Sequence, residues 1–370
     1  MEQSIPQTMH QAIIKPDLSV DFESDAPIPQ LKDDEILVRA VFAGVNPIDW
    51  KGANEEQSVA LHGLLKSPVH RAPGKDYVGY VVAVGKEAYQ FHIGDRVMCV
   101  NHSSGFAEYS VGKTFASAIT PGTVSFEDAL TFGLPYLTAS LLAFKDKPLP
   151  TPWNPANGNT RTPFIVYGAS SSVGAFVVKL AKLANIHPII AIAGSSAESI
   201  KSVINPSKGD VIVDYRQEED ALIRAVHQVA NDAHYAADAI GSPKTGELCA
   251  RLVNPHDSIV TSSVGDPWDD TLKDRVPPGV QLQIAFSPGV FEPNDPDGPD
   301  GEDSPNHGRK AFGLTAMNYL SYALQNGILA PHPYEVRANG VDALAEALLA
   351  LKEGRNKGKR YLLEMGATKW

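Results

Sequence analysis

The chain has 370 residues, 43% apolar and 20% charged, with a formal net charge of −11. That length predicts two domains, and the composition is that of a soluble globular protein. The acidic balance argues against nucleic acid as a partner, no apolar run is long enough to span a bilayer, and two cysteines, Cys99 and Cys249, cannot build a disulfide framework or a Cys-rich zinc site.

The opening stretch lacks the basic-then-apolar order of a secretory signal, so a reducing, cytoplasmic setting is expected. Residues 1 to about 128 read as short strands with Gly/Pro punctuation: His10 to Lys15, the alternating Glu35 to Ala43, Tyr77 to Val84, Arg96 to Val100 and Ala107 to Val111. Such a series predicts a barrel-like β domain. Phe126 to Phe144 has a helical pattern that Pro135 must break or kink. A Pro/Asn-rich loop, Pro148 to Pro163, follows.

From Phe164 to about Phe286 strands and helices alternate, the pattern of a parallel sheet wound with helices. Phe291 to Gly308 is acidic and rich in Pro and Gly, and is expected to be an exposed loop. Lys310 to Asn326 and Val341 to Glu353 read as helices, and Tyr334 to Val336 and Arg360 to Glu364 as strands.

The chain is organised around Phe164 to Leu183. Phe164 to Tyr167 is a short apolar strand, Gly168 to Gly174 a small-residue turn, and Ala175 to Leu183 a helical pattern. This order opens a dinucleotide-binding unit, in which backbone N–H groups of Ala169, Ser170, Ser171, Ser172, Val173 and Gly174 can approach a pyrophosphate. The spacing Ala169-x-Ser171-x-x-Gly174 keeps one of the three glycines of GxGxxG, so the same residues also suit a plain strand-to-helix turn.

Roughly 20 residues further on, NAD-binding units place an acid for the ribose 2′-hydroxyl. Here that place holds Gly194 and Ser195, with Lys201 and Tyr215 nearby. Hydroxyls and a cation suit a 2′-phosphate, and so NADPH, whereas a carboxylate would repel it. The alternative is that Lys201 and Arg216 are solvated surface charges.

Several stretches resemble the zinc-independent quinone/enoyl reductase branch of the medium-chain dehydrogenases/reductases. These are Val45-Asn46-Pro47-Ile48-Asp49-Trp50-Lys51, Gly74-Lys75-Asp76-Tyr77-Val78-Gly79, Gly94-Asp95-Arg96-Val97, Gly105-Phe106-Ala107-Glu108-Tyr109, Leu134 to Ala139 and Gly358-Lys359-Arg360. Within that branch the chain looks most like fungal trans-acting enoyl reductases of iterative polyketide synthases. The resemblance implies an α/β protein with a GroES-like β-barrel catalytic domain, residues 1–128 completed by 329–370. A Rossmann NADPH-binding domain, residues 129–328, carries the acidic loop 291–308.

The resemblance further implies reduction of the double bond of an enoyl thioester held by a polyketide synthase or its acyl carrier protein. A free-standing quinone or enone reductase, and a scaffold with a lapsed cofactor site, are the alternatives. Zinc takes three or four Cys, His or carboxylate ligands. Asn46 and Gly74-Lys75-Asp76 stand where zinc alcohol dehydrogenases keep such ligands, so no metal is expected. Without that Lewis acid, the acceptor must already be activated by conjugation.

Hydride addition to such an acceptor builds charge on its carbonyl oxygen and needs a proton at the α-carbon. Lys51 is the candidate for both roles, and otherwise an exposed lysine after a turn. Thr138 occupies the family's place for a hydroxyl near the nicotinamide, or bonds to its own helix backbone. The resemblance places Asn46, Pro47, Asp49, Thr138 and Gly265 among the cofactor contacts, while the residues themselves suggest that Asn46 and Asp49 fix their loop.

Overall fold

A computed structural model describes residues 5–53, 73–101, 104–158, 160–263, 271–285, 287–291 and 308–369. Gly265 and most of the acidic stretch 291–308 lie outside them. In chain order the first half holds β1 (Thr8–Ile14), β2 (Val20–Pro27), β3 (Glu35–Val45), α1 (Pro47–Lys51), β4 (Asp76–Val84), β5 (Arg96–Val100), β6 (Tyr109–Lys113), β7 (Ser117–Ile119) and α2 (Phe126–Phe144). There follow β8 (Phe164–Tyr167), α3 (Ser172–Leu183), β9 (Ile189–Ala193), α4 (Glu198–Lys201), β10 (Val211–Asp214), α5 (Glu219–Ala230), β11 (Tyr235–Asp238), α6 (Pro243–Leu252), β12 (Ser258–Ser263) and β13 (Val280–Ala285). The chain closes with α7 (Arg309–Gln325), β14 (Tyr334–Arg337), α8 (Leu344–Lys352) and β15 (Arg360–Glu364).

Two compact units result, Met1–Leu137 with Pro288–Trp370, and Thr138–Ser287. The expected boundaries at 128/129 and 328/329 therefore shift. The reason for the second shift is packing: α7 lies on β7 and on the short turn Thr114–Ala116, so it belongs with the first unit.

In the first unit β3 is the longest strand and the organiser. It pairs antiparallel with β4, β6 and β15. The sheet runs β14-β15-β3-β4-β5-β7, and β1 and β2 form a separate hairpin. Alternating residues such as Ile36, Val38 and Ala40 turn inward and meet Tyr77, Val97 and Phe106, with Leu344 and Leu348 of α8 packed against them. The hairpin strand β2 escapes a reading of the sequence because VDFESDAP is acidic and mostly exposed.

The second unit is a six-stranded parallel sheet in the order β10-β9-β8-β11-β12-β13. Its central strands are buried on both faces, which is why Ile189–Ala193 is continuously apolar. The order reverses between β8 and β11, and the crevice at the carboxyl ends of strands beside such a switch is where α/β sheets bind ligands.

The predicted break in α2 falls at Gly133 (φ 11°, ψ −132°), two residues before Pro135. Pro135 offers no N–H to the helix and crowds the preceding turn, and Gly133, which has no Cβ, takes up the distortion.

Candidate active site and cofactor turn

In the second unit, β8 is followed by Gly168, whose φ of +71° favours glycine. The chain then reverses through Ala169 and Ser170 into α3. Ser171 caps that helix by accepting the Gly174 N–H at 3.1 Å. Gly174 is required by close approach: a Cβ there would sit 2.2 Å from the Gly168 carbonyl oxygen and 2.8 Å from the Ala169 Cα. The two conformational tasks of a dinucleotide turn are thus met by Gly168 and Gly174, the first and last residues of the small-residue turn, although the spacing Ala169-x-Ser171-x-x-Gly174 leaves Gly168 out. The helix start, Ser172 and Val173 included, presents unpaired N–H groups at the sheet's carboxyl edge, the arrangement that receives a pyrophosphate.

Beside that turn, the Tyr215 ring covers Gly194, where a Cβ would come within 2.6 Å of it, and lies 6.3 Å from the Tyr167 ring. Tyr215 and Ser195 are exposed at the ends of β10 and β9. Lys201 is exposed, with its Nζ 2.5 Å from Glu198 Oε2. Arg216 is committed to Asp214, whose carboxyl it holds down at about 2. At the end of β11, buried Asp238 accepts the Ile240 and Gly241 N–H groups and the Thr245 and Ser262 hydroxyls, fixing the turn into α6. Burial raises its pKa while those donors oppose the shift. Thr138 is buried within α2.

In the first unit, α1 is one turn long and carries Pro47 at its first position and Lys51 at its last. Asp49 is buried and accepts the Asn46 N–H (2.8 Å) and the Gly74 N–H (3.2 Å). Burial drives the Asp49 carboxyl up to about 7, against the pull of the Lys75 charge. Lys75 is itself buried, which lowers its pKa. Asn46 donates to Asp76 Oδ1 (2.9 Å) and to the Gly44 carbonyl (3.2 Å). The side chains of Asn46 and Asp49 therefore serve the loop, as the residues themselves suggested. Lys51 is half-buried, its ammonium 5.4 Å from the centre of the Trp50 ring.

Reading the sequence left out the partner of Asp76. It is Arg360, buried on β15, which donates to Asp76 Oδ2 and, through Nη1, to the Leu130 carbonyl at 2.7 Å. A buried carboxylate needs such a partner, but the sequence offers 32 Lys and Arg residues and no means of choosing among them. Among the described residues, no three His, Cys, Asp or Glu side chains gather as a metal site. No helix among them is long and apolar enough to cross a membrane.

Residues 32–127 match the alcohol dehydrogenase GroES-like domain. A trans-enoyl reductase of Gibberella fujikuroi is 29% identical over 89% of this chain and 90% of its own length. The trans-enoyl reductase TOXD of Cochliobolus carbonum is 32% identical over 62% of this chain and 75% of its own. The chain belongs to the trans-enoyl reductase family. It is an oxidoreductase of medium-chain dehydrogenase/reductase architecture, with a GroES-like unit and a Rossmann-type sheet.

Solved structures agree with this trans-enoyl reductase on fold. The CurK enoyl reductase superimposes with a TM-score of 0.71 at 16% identity, over 97% of this chain and 99% of that one. A mycobacterial protein complexed with NADPH gives 0.69 at 19% identity, over 96% of this chain and 100% of its own.

Proposed function

We propose that this trans-enoyl reductase uses NADPH to reduce the α,β-double bond of an enoyl thioester presented by the acyl carrier protein of a polyketide synthase, in the cytoplasm. The observation that carries the reading is the turn from Gly168 to Gly174. Its left-handed glycine and its Cβ-free approach to the helix start suit a pyrophosphate laid against backbone N–H groups. The choice of NADPH is supported by Ser195 and Tyr215 at the strand ends and by Lys201 one short helix away. The Lys201–Glu198 pair is exposed, and pairs of this kind are held by only about 0–1 kcal/mol, so it yields to a phosphate dianion.

NADPH, when bound, supplies the hydride that the β-carbon receives. Lys51 then stabilises the charge that develops on the thioester oxygen and holds the proton for the α-carbon. Its contribution belongs to the transition state, because it grows only as that charge appears.

The test is single-turnover reduction of a crotonyl thioester and of a simple quinone by the wild type and by Lys51→Met, alongside fluorescence titration with NADPH. Removing one preorganised charge costs on the order of 10²–10³ in rate, and a partly hydrated lysine falls at or below the low end. Loss of thioester reduction in Lys51→Met, with NADPH affinity kept, is expected. Full activity in that variant removes Lys51 from the reaction. Faster turnover of the quinone moves the protein to the free-standing class, and failure to bind NADPH makes it a scaffold.

A further inference from the structure

Four separate segments, 44–46, 76, 130–134 and 360, meet at one buried point of the first unit. Asp76, fully buried at the start of β4, accepts from Asn46 Nδ2 on Oδ1, and from the Leu134 N–H (2.6 Å) and Arg360 Nη2 on Oδ2. Arg360 reaches onward from β15 to the Leu130 and Thr131 carbonyls, at 2.7 and 3.2 Å; of the N–H groups four residues on, that of Leu134 goes to Asp76 and Pro135 has none. Two glycines keep the space open. A Cβ on Gly133 would lie 2.0 Å from Asp76 Oδ2, and one on Gly44 would lie 2.1 Å from Arg360 Nη2.

The helix α1 has five residues, too few to hold its own position. It is tied down at its start, by Asn46 on Asp76 and by Asp49 on the Asn46 and Gly74 N–H groups. Lys51 is the last residue of that single turn, so its place follows from those anchors together with the packing of α1 on α8 and of Trp50 on the core.

We propose that Arg360 and Asp76 are positioning residues for the reduction, acting through Asn46 and α1 on Lys51. The proposal rests on the reading of Lys51 given above. Its physical content is that the guanidinium's planar fork serves Asp76 and two backbone carbonyls at once, which a point-charge ammonium cannot do. Lysine at position 360 keeps the charge on Asp76 but loses the fork. The carboxylate can then drift, and with it Asn46 and the helix start. A misplacement of about 1 Å is able to cost up to about 10²-fold in rate.

The experiment is a double-mutant cycle on single-turnover reduction of crotonyl thioester at saturating NADPH, using wild type, Arg360→Lys, Lys51→Met and the double variant. Asn46→Ser is a second entry to the same link, since it leaves the buried ion pair whole and keeps the protein foldable if Arg360→Lys is not. We expect each of Arg360→Lys and Asn46→Ser to slow reduction on the order of tenfold in the Lys51 protein and to add nothing once Lys51 is Met, with the NADPH affinity of Arg360→Lys unchanged within about twofold. An equal fractional loss in both backgrounds, or no loss in either, overturns the proposal, because a merely structural pair would not distinguish the two. A fully active Lys51→Met overturns the Lys51 reading itself. Any loss from Arg360→Lys would then run by another route.

Discussion

Gly174→Ala puts the cofactor turn under a defined load. The new Cβ would stand 2.2 Å from the Gly168 carbonyl oxygen and 2.8 Å from the Gly168 carbonyl carbon and the Ala169 Cα. Carbon meets oxygen comfortably at about 3.3 Å, so the shortfall is about 1 Å. All the obstructing atoms are backbone, and Gly168 is already fixed at φ +71°. The start of α3 must therefore retreat from the end of β8, stretching the Ser171–Gly174 cap bond.

Overpacking of this kind costs about 1–3 kcal/mol, and a weakened N-cap adds about 1 kcal/mol or less. The same movement withdraws the N–H groups offered to the pyrophosphate. Losing one hydrogen bond to a charged group is worth about 1.5–3 kcal/mol, which is roughly 10- to 150-fold in Kd. Fluorescence titration with NADPH and thermal unfolding of the cofactor-free protein read the two effects separately. Gly122→Ala, where no atom lies within 4 Å of the added Cβ, is the control and should change neither. A Gly174→Ala protein with lowered Tm but unaltered NADPH affinity would refute the assignment of the pyrophosphate to this turn.

Two further outcomes follow from charge. Wild type should bind NADPH at least about tenfold tighter than NADH, about 1.4 kcal/mol, and Lys201→Ala should shrink that ratio; identical ratios in the two proteins would exclude Lys201 from the 2′-phosphate. Lys147 is buried after α2, donating to the Leu142 carbonyl at 3.0 Å, and burial lowers its pKa to about 7 from the ordinary 10.5. Between those values the unfolded chain holds the proton and the folded one releases it, so stability rises with pH by at most about 1.4 kcal/mol per unit. Lys147→Met should flatten this slope in denaturant titrations from pH 7 to 9, and a slope unchanged by the substitution would show that Lys147 stays charged.

Much of this protein is legible in the order of its residues. Apolar runs that are buried on both faces, such as Ile189–Ala193, announce a parallel sheet, because such strands have no solvent side to mark with polar residues. Alternation in Glu35 to Ala43 announces the organising strand of the other unit, observed as Glu35–Val45. The strand Arg96–Val100 and the strand Arg360–Glu364 fall where the pattern puts them. The motif around Asn46 to Lys51 is local, so its loop-fixing asparagine and carboxylate follow from residue type, while the single helical turn Pro47–Lys51 is seen only in the structure.

Partnership across long separations was decided only by the tertiary structure. Arg360 lies 284 residues from Asp76, and no periodicity links them. Their pairing is forced once both are buried, since a lone charge in that place would be far costlier than the pair. The break in α2 at Gly133 is of the same kind. Proline dictates that a break occurs, but the Asp76 carboxylate at the Leu134 N–H selects the residue that opens. Likewise α7 joins the first unit because β7 and its neighbouring turn offer it a surface, which nothing in its own sequence discloses. Local pattern fixes what each segment is, and burial of charge and surface fixes which distant segments it must meet.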